Sequence, residues 1–177
     1  MNIRFHFAAI VVALCAACAQ PTADHKAQGA ELLAPFKANL KSALVKGMEA
    51  GPVEAIHACS VQAPQISAGL SVDGVVMGRS SHKLRNPDNA PPQWLAPTLD
   101  SFADGSADLS PLVVSAGNDR VGYVEPIMMQ ALCLTCHGES LQPEIATRIN
   151  ESYPEDEATG FKTGDFRGVF WVEFPES

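Results

Sequence analysis

The order of elements along the chain predicts an α+β fold built on an antiparallel sheet. Three observations carry that expectation. The first third reads as helices, a hairpin signature follows the middle of the chain, and an alternating apolar strand closes it. Strands and helices do not alternate, as a parallel βαβ fold would require. With 46% apolar and 18% charged residues over 177 positions, the composition suits one core-forming domain rather than a disordered chain.

The elements follow in order. Residues 20–30 (QPTADHKAQGA) are small and polar and read as a linker. In ELLAPFKANLKSALVKGMEAG, Phe36, Leu40, Leu44 and Met48 recur every fourth residue, which predicts an amphipathic helix with Pro35 near its start. Gly51 ends that helix, Pro52 opens a second over 52–62, and Pro64 is expected to stop it. Residues 72–79 (VDGVVMGR) read as a short strand. HKLRNPDNAPP is a loop by its Asn, Asp and Pro content, and Trp94 to Phe102 reads as a short helix. Pro111–Ala116 and Arg120–Ile127 flank Gly117-Asn118-Asp119, which predicts a β-hairpin with a Gly-Asn turn. Residues 144–153 read as a helix, and 169–174 (VFWVEF) as a strand with Phe170, Val172 and Phe174 on one face.

The first 19 residues stand apart. Arg4 supplies a positive start, and Phe7 to Ala19 is apolar and free of acids. Thirteen such residues fall short of the roughly 20 that span a bilayer, so 1–19 reads as an export signal, with the domain proper at 31–177. Two processing routes compete. Ala17-Cys18-Ala19 offers an A-x-A cleavage site, whereas Cys15-Ala16-Ala17-Cys18 resembles a lipobox that would acylate Cys18. The expected location is periplasmic or exported, with the membrane touched only through that lipid anchor. The formal charge of −8 argues against a nucleic-acid partner, because phosphate contacts need clustered Lys and Arg.

Export leaves Cys59, Cys133 and Cys136 in the body of the chain. Cys133-Leu134-Thr135-Cys136-His137 has the C-x-x-C-H form of a covalent haem site. Two thiols at this spacing reach the two vinyl groups of one haem, and the adjacent imidazole faces the iron as proximal ligand. Five Cys and five His in 177 positions give roughly 0.004 such motifs by chance. A thioredoxin-like pair would need a βαβ context, and a zinc site would need further N or S ligands. A Cys133–Cys136 disulfide in a haem-free ligand-binding module is the plain alternative. One motif predicts one haem c. Gly138 reads as a place where a missing side chain leaves room for the macrocycle.

The sixth iron position has several candidates: Cys59, His57, Met77, His82, Met128 and Met129. Met128 and Met129 sit close before the motif and read as core filling. His57 and Cys59 lie two apart on a helix, so they face different ways, with His57 toward solvent. Arg79, Lys83 and Arg85 precede the Pro-rich loop in an otherwise acidic chain. They read either as donors to haem propionates or as a solvated loop. Glu155-Asp156-Glu157 reads as an exposed acidic turn, and Asp165 as a turn former.

AIHACSVQAPQIS (55–67), GRSSHKLRNPDNAPPQW (78–94), GYVEPIMMQALCLTCHG (122–138) and YPEDEATGFKTGDFRGVFWVEF (153–174) together resemble the monohaem c-type domains with a PAS-like fold. These occur as small exported cytochromes and as sensor regions, and the four segments span about 120 residues in the family's order. The resemblance implies a central antiparallel sheet flanked by helices, His137 as proximal ligand and Cys59 as distal ligand. It implies a non-enzymatic role in electron transfer or in redox or gas sensing, with a redox protein or a small gas as partner. A peroxidase-type enzyme is the runner-up, and would need an open iron position beside a distal acid–base group such as His57 or His82.

Overall fold

The structure is a computed structural model, and it describes residues 23–176. The expected signal and Cys18 lie outside these residues. A long helix α1 (Ala23–Ala50) is followed by α2 (Pro52–His57), a π-helical turn (Ala58–Gln62) and α3 (Ala63–Leu70). Strand β1 (Val76–Ser80), helix α4 (Ala96–Ala103) and the hairpin β2 (Leu112–Gly117) and β3 (Arg120–Met128) come next. A 3₁₀ turn at Ala131–Cys133 leads into the single turn α5 (Leu134–His137), then α6 (Pro143–Ser152) and β4 (Phe166–Pro175).

The four strands form one antiparallel sheet in the order β1-β4-β3-β2, with the last strand of the chain in its middle. β4 earns that place by being apolar on both faces. Phe170, Val172 and Phe174 meet Leu33, Phe36 and Leu40 of α1 on one side. On the other side, Val169 and Trp171 meet Leu95, Leu99 and Phe102 from and around α4. Burying each of the α1 side chains contributes about 1.5–3 kcal/mol. The outcome is the expected α+β architecture with helices flanking the sheet. No helix among the described residues is long and apolar enough to cross a membrane.

Four local expectations are corrected. The linker expected at 20–30 is helical from Ala23 onward, and Pro35 lies inside α1 rather than near its start. The reason is tertiary. His25 is buried and lies edge-on to Phe174, and Gly29 sits against the Tyr123 side chain, so a polar segment gains a docked face. The buried stripe is accordingly Leu33, Phe36, Leu40 and Ala43, displaced toward the N-terminus. Pro64 does not stop the second helix. The wide π turn at Ala58–Gln62, closed by Ala63 N–H donating to the Ala58 carbonyl, admits the proline into the first turn of α3. Strand β1 starts at Val76, because Asp73 (φ 52°) and Gly74 (φ 78°) form a left-handed turn before it. The hairpin forms where expected, but its turn is Asn118-Asp119, both at positive φ, rather than Gly-Asn, because Gly117 pairs with Arg120 as the last residue of β2.

Gly29→Ala should destabilise the fold by about 1–3 kcal/mol, because the new methyl runs into the Cβ and Cγ of Tyr123. Gly69→Ala in α3 meets nothing within 4 Å and should stabilise it by about 0.5–1 kcal/mol. Urea unfolding of both variants tests whether α1 docks as described; equal effects would refute it.

Candidate functional site

The C-x-x-C-H segment follows β3 directly. Its backbone coils because Cys133 N–H bonds the Gln130 carbonyl and Gly138 N–H bonds the Leu134 carbonyl (both 2.9–3.0 Å). Cys133 and Cys136 are free, half-buried thiols that lean into different clusters. Cys133 packs with Met129, Ala158 and Phe161, and Cys136 with Ile56, Ile145 and Tyr153. Gly138 is needed by the turn itself. A Cβ there would lie 2.6 Å from the Leu134 carbonyl oxygen, so the glycine makes room for backbone.

His137 is held in one tautomer. Its Nδ1 lies 2.7 Å from the Ala158 carbonyl oxygen, which can only accept, so Nδ1 carries the proton and Nε2 keeps its lone pair. Burial, then the charges of Arg85 and Arg167, push its pKa down to about 3. The imidazole is therefore neutral at physiological pH and competent as a metal ligand.

Arg85 ties this turn to two distant loops. Its Nε and Nη2 bond the two carboxylate oxygens of Asp156 at 3.0 and 3.1 Å. Nη2 also reaches the carbonyls of Cys136 (2.6 Å) and Ala158 (3.2 Å). Both side chains of the pair are about nine-tenths buried, so Asp156 belongs to an internal bridge and not to an exposed acidic turn. Arg85 thus has protein partners around its guanidinium, including the carbonyl that orients His137. Asp165 behaves as expected, capping its turn by accepting from Lys162 N–H.

Cys59 stands in the π turn, half-buried, and its carbonyl accepts a long bond from Arg79 Nη2 at 3.4 Å. It lies within electrostatic reach of Cys136, Tyr153 and Arg167. Burial, then the neighbouring Cys59, raises the Tyr153 phenol. Burial likewise raises the Cys136 thiol, opposed by Arg85. Of the other candidates for the sixth position, His82 shares the Phe161 ring with His137, and Met128 is half-buried at the end of β3. His57 is exposed, and Met77 and Met129 are buried core residues. His82 stacks flat on Phe166, with ring centroids 5.5 Å apart. Among the described residues, no three His, Cys, Asp or Glu side chains gather as a self-sufficient metal cage.

Two features were not legible in the motifs. Arg167 of β4 reaches the same site, donating to Ser81 Oγ and to the Lys83 carbonyl (3.1 Å) with its guanidinium 5.4 Å from the Phe161 ring centre. The same phenyl ring carries Lys83 at 5.1 Å and lies edge-on to His82 and His137. A cavity of about 290 Å³ opens beside Arg79, walled also by Ala63, Ser67, Met77, Gly78 and Trp171. The Trp171 indole N–H is buried without a partner.

A family model described as Tll0287-like matches residues 13–175. A solved structure, that of the cyanobacterial haem protein Tll0287, is 24% identical with a TM-score of 0.61, covering 89% of this chain and 98% of its own. The likeness to that structure shows a shared fold. No curated protein matches. The family match spans nearly the whole chain, and the chain belongs to the Tll0287-like family.

Asp156→Ala removes the carboxylate from a buried Arg85 and should cost about 3–5 kcal/mol, against about 0–1 kcal/mol for the exposed pair partner Glu151→Ala. Thermal melts of the two variants check this. Equal melting temperatures would show that Arg85 does not depend on the bridge.

Proposed function

We propose that this member of the Tll0287-like family is an exported haem protein with one covalently attached haem c on a PAS-like scaffold. It would carry electrons, or sense redox state or a small gas, rather than catalyse a reaction. The observation that supports the reading is His137. It is a neutral imidazole with Nδ1 bonded to a backbone carbonyl and Nε2 left free, one residue after two free thiols.

The donor set fits a haem. Cys133 and Cys136 would hold it by thioethers, each formed by adding S–H across a vinyl C=C bond, with no oxidant consumed. His137 would be the proximal ligand, and the Ala158 carbonyl would fix its ring and raise its basicity. Cys59 would be the distal ligand; of the candidates for that position, it is the one whose surroundings include Cys136, Tyr153 and Arg167. A bound haem supplies one-electron redox chemistry and exchangeable axial coordination. A thiolate at Cys59 would favour the ferric state and hold the potential low. A peroxidase-type role draws less support, since His57 is exposed and the His82 ring is engaged by Phe166 and Phe161.

Co-expression with haem-maturation machinery should yield a coloured protein whose haem survives denaturing electrophoresis. Cys133→Ala combined with Cys136→Ala should abolish that covalent retention. A colourless wild-type product would overturn the reading in favour of a disulfide-bearing module. Cys59→Ala should replace the ferric low-spin signal in paramagnetic resonance while leaving haem attached; an unchanged signal would remove Cys59 from the iron. Carbon monoxide separates the two uses. Displacement of a ferrous ligand supports sensing, and an unchanged six-coordinate spectrum supports electron transfer.

A further inference from the structure

The haem reading leaves a charge problem that the chain itself does not solve. Arg79, Arg85 and Arg167 converge on one site in a protein of net charge −8. The carboxylate among them, Asp156, is bonded in bidentate fashion to Arg85. Arg167 is half-buried and hydrogen-bonds only neutral oxygens, Ser81 Oγ and the Lys83 carbonyl. Arg79 has one long bond, to the Cys59 carbonyl. Among the described residues neither has a carboxylate within ion-pair distance. A guanidinium withdrawn from water without a counter-ion is costly, so this pair points to an anion supplied from outside the polypeptide.

The surroundings say what kind of anion. Arg167 lies within electrostatic reach of both His137 and Cys59, the two proposed axial residues, and so stands near the edge of whatever lies between them. Arg79 and the unpartnered Trp171 N–H both border the 290 Å³ cavity. The same hollow is lined by Asp88, Asn86 and Asn89, and none of these is ion-paired or hydrogen-bonded to Arg79. The surplus positive charge at Arg79 and Arg167 suits a carboxylate on an apolar body. A haem carries two such carboxylates, the propionates, on the edge opposite its vinyl groups. We propose that Arg79 and Arg167 are the counter-ions of the two haem propionates, while Arg85 is a positioning residue for the C-x-x-C-H turn. This rests on the haem reading above and reassigns one of the two arginines that sequence alone offered for the role.

Thioethers would retain the haem whatever happens to its propionates, so the test is made on intact holoprotein. Arg167→Gln and Arg79→Gln each remove a positive charge near the ring. Each should lower the reduction potential, so that the ferrous-to-ferric ratio at a fixed solution potential falls about tenfold. Arg167→Lys keeps the charge and should stay near wild type, which a purely structural role would not predict. Lys83→Gln, an exposed cation over the same phenyl ring, should change the ratio less than twofold. The propionate carboxylate bands in the infrared redox-difference spectrum should shift in Arg167→Gln and hold in Lys83→Gln. Unchanged potential and bands in both Gln variants, with haem still attached, would overturn the assignment and leave the haem reading standing. A wild-type protein without covalent haem would overturn both.

Discussion

Arg85 and Asp156 come from loops 71 residues apart, and their buried bidentate pair is the contact on which the site's geometry depends. Through the same guanidinium, the Cys136 and Ala158 carbonyls are drawn to one point. Ala158 in turn accepts from His137, so one cation sets the thiol-bearing turn and the imagined axis of its histidine together. A buried ion pair contributes little net stability, since desolvation offsets most of the attraction. Its value lies in geometry. Losing either member strands a charge, so the loops at 82–92 and 153–161 hold one arrangement relative to α5.

The second constraint is the π turn. An ordinary α-helix from Pro52 to Leu70 would set the Pro64 ring against the Ser60 carbonyl, and the chain relieves this by widening one turn at Ala58–Gln62. Cys59 lies in that turn. The feature that accommodates a proline therefore also places the thiol and directs its carbonyl toward Arg79. Ile56, three residues earlier, anchors the segment against Ile145, Ile149 and Tyr153, beside Cys136.

Charge is distributed against the grain of the composition. The chain is acidic as a whole, yet Arg85 and Arg167 act on His137, Lys83 and Arg167 lie over Phe161, and Arg79 stands within reach of Arg167. Burial first, and then the charges of Arg85 and Arg167, keep the imidazole neutral. Arg167 comes to it from the middle strand of the sheet. Next to it Gly168, at φ 149°, lies so close to the Ser80 carbonyl that a side chain there would collide with it. This close approach of β4 to the end of β1 brings Arg167 under Ser81.

What the sequence determined by itself is local. The C-x-x-C-H spacing, the existence of the hairpin about residues 117–119 and the alternation of Phe170, Val172 and Phe174 are set by neighbours within a few residues, and each stands where its pattern put it. His57 facing solvent while Ile56 is buried also followed from helical spacing. The tertiary structure decided whatever depends on a distant partner. Residues 23–30 are helical because Tyr123 and Phe174 supply a surface for them. Asp156 is internal because Arg85 meets it, and Arg167 joins the site because strand register brings it there. Charged side chains carry no periodic signature of burial. Their roles are fixed by desolvation and by counter-ions from remote parts of the chain, and only the folded arrangement brings those together.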